Sequence, residues 1–490
     1  MSLLFKSMAL AATALSILGS VDAMSHVTVN GSRLKQSVDG FGFSGAFGTA
    51  CELKNNVPAA DRQIVLDLLF GHAGARFTIL RNLFPSASWI TIEPTSPGTP
   101  DATPTYRWDS DSWCQIWLSQ QAMSYGVSTI YGNAWSAPSF MKTNNDESNG
   151  GQICGMPGAA NCTTGDWRQA YANYLVQYVK NYASSGVPLT HVGALNEPDL
   201  DTSYSSMFIS PAQAVDFVKI LGATLVSNGL TTKVVCCDAE GWNNAKLYTS
   251  AIAADATALR YVKVFSGHGY TNPPNSALTG AAGTGRSIWM TEWSKYSEWT
   301  AAWDDGSDSS GYTWAQYLYT GFTKSHLNAF VYWYGIDGNT TDNGALMRYQ
   351  PTGLEVSKRF WALATYSRFA RPGGSVVSST SVNRNLQVLT FKNRDGSTAI
   401  TVLNAAYSDV TINFTLISVS GTVVHPYLTN EANSIAAQSP IAISGGGFTG
   451  VVPPRALIVF NIPKSTTRSS KTTTHSSKTT THNSKATMHS

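Results

Sequence analysis

A (β/α)8 barrel carrying an antiparallel β-sandwich on its side is predicted by three features of the 490-residue sequence. Between Phe41 and Tyr366, short apolar segments alternate with amphipathic ones, the pattern of parallel strands covered by helices. From Gly373 to Ile462 the hydrophobic period drops to two, as in strands with one face against a core. After Pro463 the composition turns to Ser, Thr, Lys and His, which cannot build a core.

Taken in order, residues 1–23 read as a secretory signal peptide. Lys6 gives the positive start, Met8 to Leu18 an apolar run too short to span a bilayer, and Val21-Asp22-Ala23 the small residues of a cleavage site. A secreted, extracellular protein without membrane attachment is expected. In residues 24–38, His26-Val-Thr-Val29 is a strand that joins the sandwich. The barrel is assigned to 39–366. Its eight strand candidates are 40–47, 79–84, 128–135, 191–197, 233–238, 261–266, 286–292 and 329–334. Between them, 58–70 and 167–180 carry apolar residues at helical spacing. An open doubly wound sheet is the alternative, but no Gly-x-Gly-x-x-Gly turn supports it. The sandwich is assigned to 367–463, with strands at 386–391, 398–403, 410–415 and 456–460. Residues 464–490 repeat a seven-residue Ser/Thr/Lys/His unit and read as a disordered stalk. The histidines at 475, 482 and 489 are too isolated to form a strong metal site.

Charge narrows the function. The net charge is +3, yet Lys464 to Ser490 alone holds five basic residues and no acid, leaving −2 over Met24–Pro463. Such a body has no footprint for nucleic acid. Six cysteines (51, 114, 154, 162, 236 and 237) suit an oxidising compartment, with Cys154–Cys162 the best local pair and the rest undecided. None forms a CxxC or lies near a histidine at zinc spacing, so neither metal nor cofactor is expected. Sequons at Asn30, Asn161, Asn339 and Asn413 permit N-glycosylation.

Two carboxylates carry the chemistry. Barrel active sites lie at the C-terminal ends of the strands. Ala194-Leu-Asn-Glu-Pro198 and Ile288-Trp-Met-Thr-Glu-Trp293 each end an apolar strand in a single acid, on the fourth and seventh strands by count. A buried acid is costly unless paired or used. Paired carboxylates in a secreted, aromatic-rich barrel point to glycoside hydrolysis, where one protonates the leaving oxygen and the other attacks or activates water.

Asn196-Glu197-Pro198 with Glu292 resembles the glycosidase clan whose acid/base ends strand four and whose nucleophile ends strand seven. Asp39-Gly-Phe-Gly-Phe-Ser44, Leu80-Arg-Asn82, Ala134-Trp-Ser-Ala-Pro-Ser-Phe-Met141, Gly267-His-Gly-Tyr270 and Trp289-Met-Thr-Glu-Trp293 look like glycoside hydrolase family 30, and the fungal xylan-degrading branch fits best. The resemblance covers about residues 26–463. It implies Glu197 as acid/base, Glu292 as nucleophile and double displacement with retention on β-1,4-xylan, by a monomer acting on a polysaccharide. It further implies Asn196 on the sugar 2-hydroxyl, Arg81 and Tyr270 beside Glu292, and His268 nearby. Trp135, Trp293 and Trp333 stand at strand ends as sugar platforms, with Trp89 and Trp242 farther out. Glu240 is expected to line the cleft, and Glu298, Asp304 and Asp305 to lie on a solvated loop. Where some relatives read a glucuronate branch with an arginine, Thr49 is expected to stand, which predicts activity independent of glucuronate. The insertion from Glu93 to Arg107 is a candidate to close one end of the cleft. The rivals are an endo-β-1,6-galactanase or glucanase of the same family and a catalytically silent carbohydrate-binding wall protein. A serine hydrolase lacks its Gly-x-Ser-x-Gly elbow.

Overall fold

The computed structural model describes residues 24–193, 195–338 and 340–464. Residues 1–23, expected to be a signal peptide, the repeat tail from 465 onward and Asn339 lie outside the described residues. The strands are β1 (Ser25–Ser37), β2 (Gly40–Ser44), β3 (Ile79–Phe84), β4 (Thr129–Ala134), β5 (His191–Gly193), β6 (Lys233–Ala239), β7 (Val262–His268) and β8 (Ser287–Glu292). They continue with β9 (Lys295–Glu298), β10 (Ala329–Asp337), β11 (Asp342–Asn343), β12 (Ala345–Gln350) and β13 (Gly353–Val356). The helices are α1 (Thr49–Asn55), α2 (Ala59–Phe70), α3 (Gln115–Ser124), α4 (Arg168–Ser184), α5 (Pro211–Ser227), α6 (Trp242–Ala254), α7 (Ala256–Tyr261), α8 (Gly311–Lys324) and α9 (Lys358–Phe369).

Strands β2 to β8 pair in parallel, and β10 pairs with both β2 and β8, so eight strands close into a barrel. The closing register sets Ala329 opposite Trp289 and Gly40. Ile79, Tyr131, Val235, Val264, Trp289, Ala329 and Val331 fill the inside, the packed interior expected of a small barrel. Trp289 also donates its indole N–H to Asp39 at 2.8 Å, closing the end opposite the active site. Local sequence sets the helices as it should. Helix α5, for example, begins with Ser210 and Gln213 in a capping box and Pro211 in its first turn.

The second sheet is formed by β1 with β14 (Ser375–Ser381), β15 (Leu386–Lys392), β16 (Thr398–Asn404), β17 (Val410–Ile417), β18 (Val423–Thr429), β19 (Ala436–Ala437), β20 (Ile441–Ala442), β21 (Gly447–Val452) and β22 (Leu457–Ile462). It wraps a core of its own containing Val27, Val29, Ile400, Phe414, Phe448 and Phe460. One pairing departs from the antiparallel rule: β1 runs parallel to β17. The sandwich also reaches the barrel. Arg455 pairs with Asp304 at 2.7 Å and lies over the Tyr312 ring, and Trp303 donates to the Arg455 carbonyl. Asp304 is therefore an interface residue, not a solvated one.

Three disulfides join Cys51–Cys114, Cys154–Cys162 and the adjacent Cys236–Cys237. The first ties helix α1 to the residue that precedes α3. Among the described residues, no helix is long and apolar enough to cross a membrane.

Candidate active site

Glu197 follows β5 and Glu292 ends β8, and both are buried at the C-terminal mouth of the barrel. One oxygen of each, with a nitrogen of His268, lies within 4.8 Å of the others. They open into a cavity of about 560 Å³, within the range of small-ligand sites.

Each glutamate has its own partners. Glu292 Oε2 accepts from Arg81 Nη1 at 2.5 Å, and its Oε1 accepts from the Tyr270 hydroxyl at 2.7 Å. Glu197 Oε1 lies 3.0 Å from His268 Nδ1, and its Oε2 accepts from Tyr204 at 3.0 Å. Behind them stands Asp238, at the end of β6 and wholly buried. Its Oδ2 accepts from Arg81, Tyr131 and Asn133, and its Oδ1 from Thr291. Arg81 spends its remaining reach on the Asn196 carbonyl oxygen at 2.6 Å. Glu197 and Asp238 both take a left-handed backbone, φ 44° and 52°, and the Glu197 N–H is held by the Asp238 carbonyl at 2.8 Å. Such conformations cost about 1–3 kcal/mol each and gather at functional sites.

The electrostatics follow from this pairing. Burial works against a charged Asp238, but Arg81 and His268 outweigh it and hold the carboxyl well below its ordinary range. Burial likewise opposes a charged His268, yet Glu292, Asp238 and Glu197 bring its pKa up to about 10. Glu292 is pushed up by burial, with His268, Arg81 and the Tyr270 hydrogen bond pulling the other way.

The structure brings most of the expected residues together. Arg81 and Tyr270 meet Glu292, His268 meets Glu197 and Asn196 is held by Arg81, while Trp135 and Trp333 form one wall of the cavity. Glu240 lines it as well, accepting from Thr271. Four expectations are corrected. Trp293 is no platform: it is 1% exposed, packed on Trp314 and Tyr317, and so close to Gly269 that a Cβ there would fall 2.4 Å from the indole. Trp242 is buried at the start of α6. Thr49 starts α1 and turns its hydroxyl to the Ala46 carbonyl, and the cavity wall there is Phe47. The insertion from Glu93 to Arg107 lies against α4 and contributes nothing to the cavity lining.

Sequence reasoning missed Asp238, Tyr204, Phe47 and Tyr296. Asp238 has the same signature as the glutamates, one acid closing an apolar strand. Phe47 and Tyr204 sit on loops and Tyr296 on the four-residue strand β9, without periodicity, where only the fold reveals that the rings converge.

Comparison with known proteins bears on the same segments. Residues 100–275 match the model of O-Glycosyl hydrolase family 30, and residues 374–479 match that of the Glycosyl hydrolase family 30 beta sandwich domain. The catalytic domain of GH30 xylanase C from Talaromyces cellulolyticus is 38% identical, with a TM-score of 0.84 over 90% of this chain and 100% of that one. Glucuronoxylanase XynC of Bacillus subtilis (strain 168) is 23% identical over 300 residues, 59% of this chain and 65% of that protein, a little under two thirds of its length. Lysosomal acid glucosylceramidase of Mus musculus is 24% identical over 433 residues, 80% and 81% of the two chains. A barrel, a side sandwich and a 38% identical catalytic domain matched over its whole length lead to one conclusion: the chain belongs to glycoside hydrolase family 30 and is a glycosidase.

Proposed function

We propose that this protein is a secreted, retaining endo-β-1,4-xylanase acting on xylan by double displacement. The carrying observation is the closeness of the Glu197 and Glu292 oxygens, within 4.8 Å. Inverting enzymes hold their carboxyls about 6.5–9.5 Å apart to admit a water, whereas retaining ones bring them to about 5–5.5 Å. Glu292 attacks the anomeric carbon as Glu197 protonates the leaving oxygen. Glu197 then takes a proton from the water that releases the sugar. Arg81 and His268 carry charge that offsets Asp238 and Glu292, so the floor holds its anions without a large net charge. Asn196, its carbonyl oxygen engaged by Arg81, offers its amide to the sugar 2-hydroxyl.

Likeness to the Talaromyces xylanase supports xylan as the substrate. The mouse glucosylceramidase is a reminder that the same frame serves other glycosides. Among the residues lining the cavity the one basic side chain, Lys295, pairs with Asp308 at 3.2 Å, which favours activity independent of glucuronate branches.

The test is product analysis on glucuronoxylan, arabinoxylan, β-1,6-galactan and β-1,6-glucan, with Glu292→Gln as the blank. A ladder of β-anomeric xylo-oligosaccharides from both xylans is expected, and the variant should lose about 10⁴-fold or more. Galacto- or gluco-oligosaccharides with intact xylan would replace the substrate assignment. Release of xylobiose alone would change the mode to exo.

A further inference from the structure

Trp89, on the long loop after β3, is 71% exposed, the only tryptophan among the large exposed apolar residues of the described chain. Singly exposed apolar residues need no explanation. Trp89 is not single. Its ring meets Trp113 edge-on, with centroids 5.3 Å apart and planes at 73°, which leaves Trp89 largely open to solvent. Trp113 in turn meets Phe47 at 6.3 Å, and Phe47 meets Trp135 at 5.6 Å and Trp333 at 6.1 Å. The last three rings line the catalytic cavity. An unbroken file of aromatics thus runs from the two glutamates to the rim.

The outer end of that file is built, not frayed. The Cys51–Cys114 disulfide anchors the residue next to Trp113, and Lys54 pairs with Asp111 at 3.1 Å. Asp109 Oδ1 accepts from the Asp111 and Ser112 amides, and the Arg107 N–H is held by the Ile92 carbonyl. Beside Trp89 lies a cavity of about 180 Å³ whose wall includes Ser88, Arg107, Asp109 and Ser112. The Arg107 side chain has no hydrogen bond or ion pair among the described residues. An open indole face with hydroxyl, carboxylate and guanidinium groups at its edge matches a sugar ring, which is apolar on one face and hydrogen-bonding around its rim.

We propose that Trp89, backed by Trp113 and flanked by Arg107, is a distal subsite that holds the polysaccharide chain some residues away from the bond being cleaved. The proposal rests on the xylanase reading above for its substrate. It is tested in the full-length protein by measuring kcat and KM of the wild type, Trp89→Ala and Trp89→Phe on xylo-oligosaccharides of increasing length and on xylan. Because Trp89 is exposed, Trp89→Ala should keep the wild-type melting temperature. Its kcat/KM should fall about tenfold on xylan and the longest oligosaccharides, through KM, and stay unchanged on the shortest one cleaved. Trp89→Phe should recover most of the loss. An equal loss at every length, or no loss at any, overturns the subsite. A wild type inactive on every xylo-oligosaccharide defeats the xylan reading instead, and length-graded β-1,6-gluco-oligosaccharides then decide the subsite by the same criterion.

Discussion

The floor and the rim of the cleft are built on opposite principles. The floor is a set of buried charges, Arg81, Asp238, Glu292, His268 and Glu197, each with partners from other strands. The rim is a set of partly open rings, with Tyr204 43% and Tyr296 61% exposed, resting on one another more than on the core. A charge taken out of water is stable only while its partner stays, so the floor tolerates little change. An exposed ring can be replaced at small cost to the fold. The chemistry belongs to the part that cannot vary, and the choice of substrate to the part that can.

Four substitutions probe this contrast, in falling order of effect. Asp238→Asn should be the most damaging. Removing one partner from a buried charge pair costs about 3–5 kcal/mol, so both melting temperature and kcat should drop. A variant with wild-type stability would show the floor to be less interdependent than described. Tyr270→Phe removes a hydrogen bond that lowers the Glu292 pKa. In the proposed mechanism Glu292 attacks as the carboxylate, so the acid limb of the kcat/KM profile should move to higher pH; an unmoved limb would detach Tyr270 from Glu292. Tyr204→Phe, at the rim, should cost less than about tenfold in kcat on the scale of one neutral hydrogen bond and leave the melting temperature unchanged. Glu93→Gln is the mildest. Glu93 is buried like Asp238, but its Oε2 has no partner, and burial raises its pKa to about 7. A carboxyl raised on folding stabilises fully below its unfolded value near 4.5, and that contribution fades as pH climbs through about 7. Chemical denaturation at pH 5 and pH 8 should therefore show the variant gaining on the wild type at the higher pH.

Much of this was legible in the sequence because the barrel strands are apolar on both faces and end abruptly. Ile79–Phe84 was bounded to the residue, and Ser287–Glu292 to within one. Glu197 and Glu292 stood out for the same reason, as acids interrupting apolar runs. Strands β14 and β18 to β21 are not legible in the pattern: β14 is rich in Ser and Thr, β19 and β20 are two residues long, and β18 and β21 are interrupted by Pro426 and by Gly447 and Gly450. Trp293 was misread because a strand-end ring can turn either to the cavity or to the helices outside. The helix-side neighbours Trp314 and Tyr317, which decide it, come from α8.

Strand β1 has one further consequence, for synthesis. Val27 pairs with Ser381 on one side and with Phe414 on the other. The first strand of the described residues therefore has its partners far downstream in the chain and cannot dock until they are made. The barrel lies between these partners in sequence, so it closes while an unpaired, alternating strand still hangs from its first residue. The nascent protein passes through a stage with a finished enzyme body and an exposed strand edge. A pause in synthesis before β14 and β17 emerge would prolong that exposure.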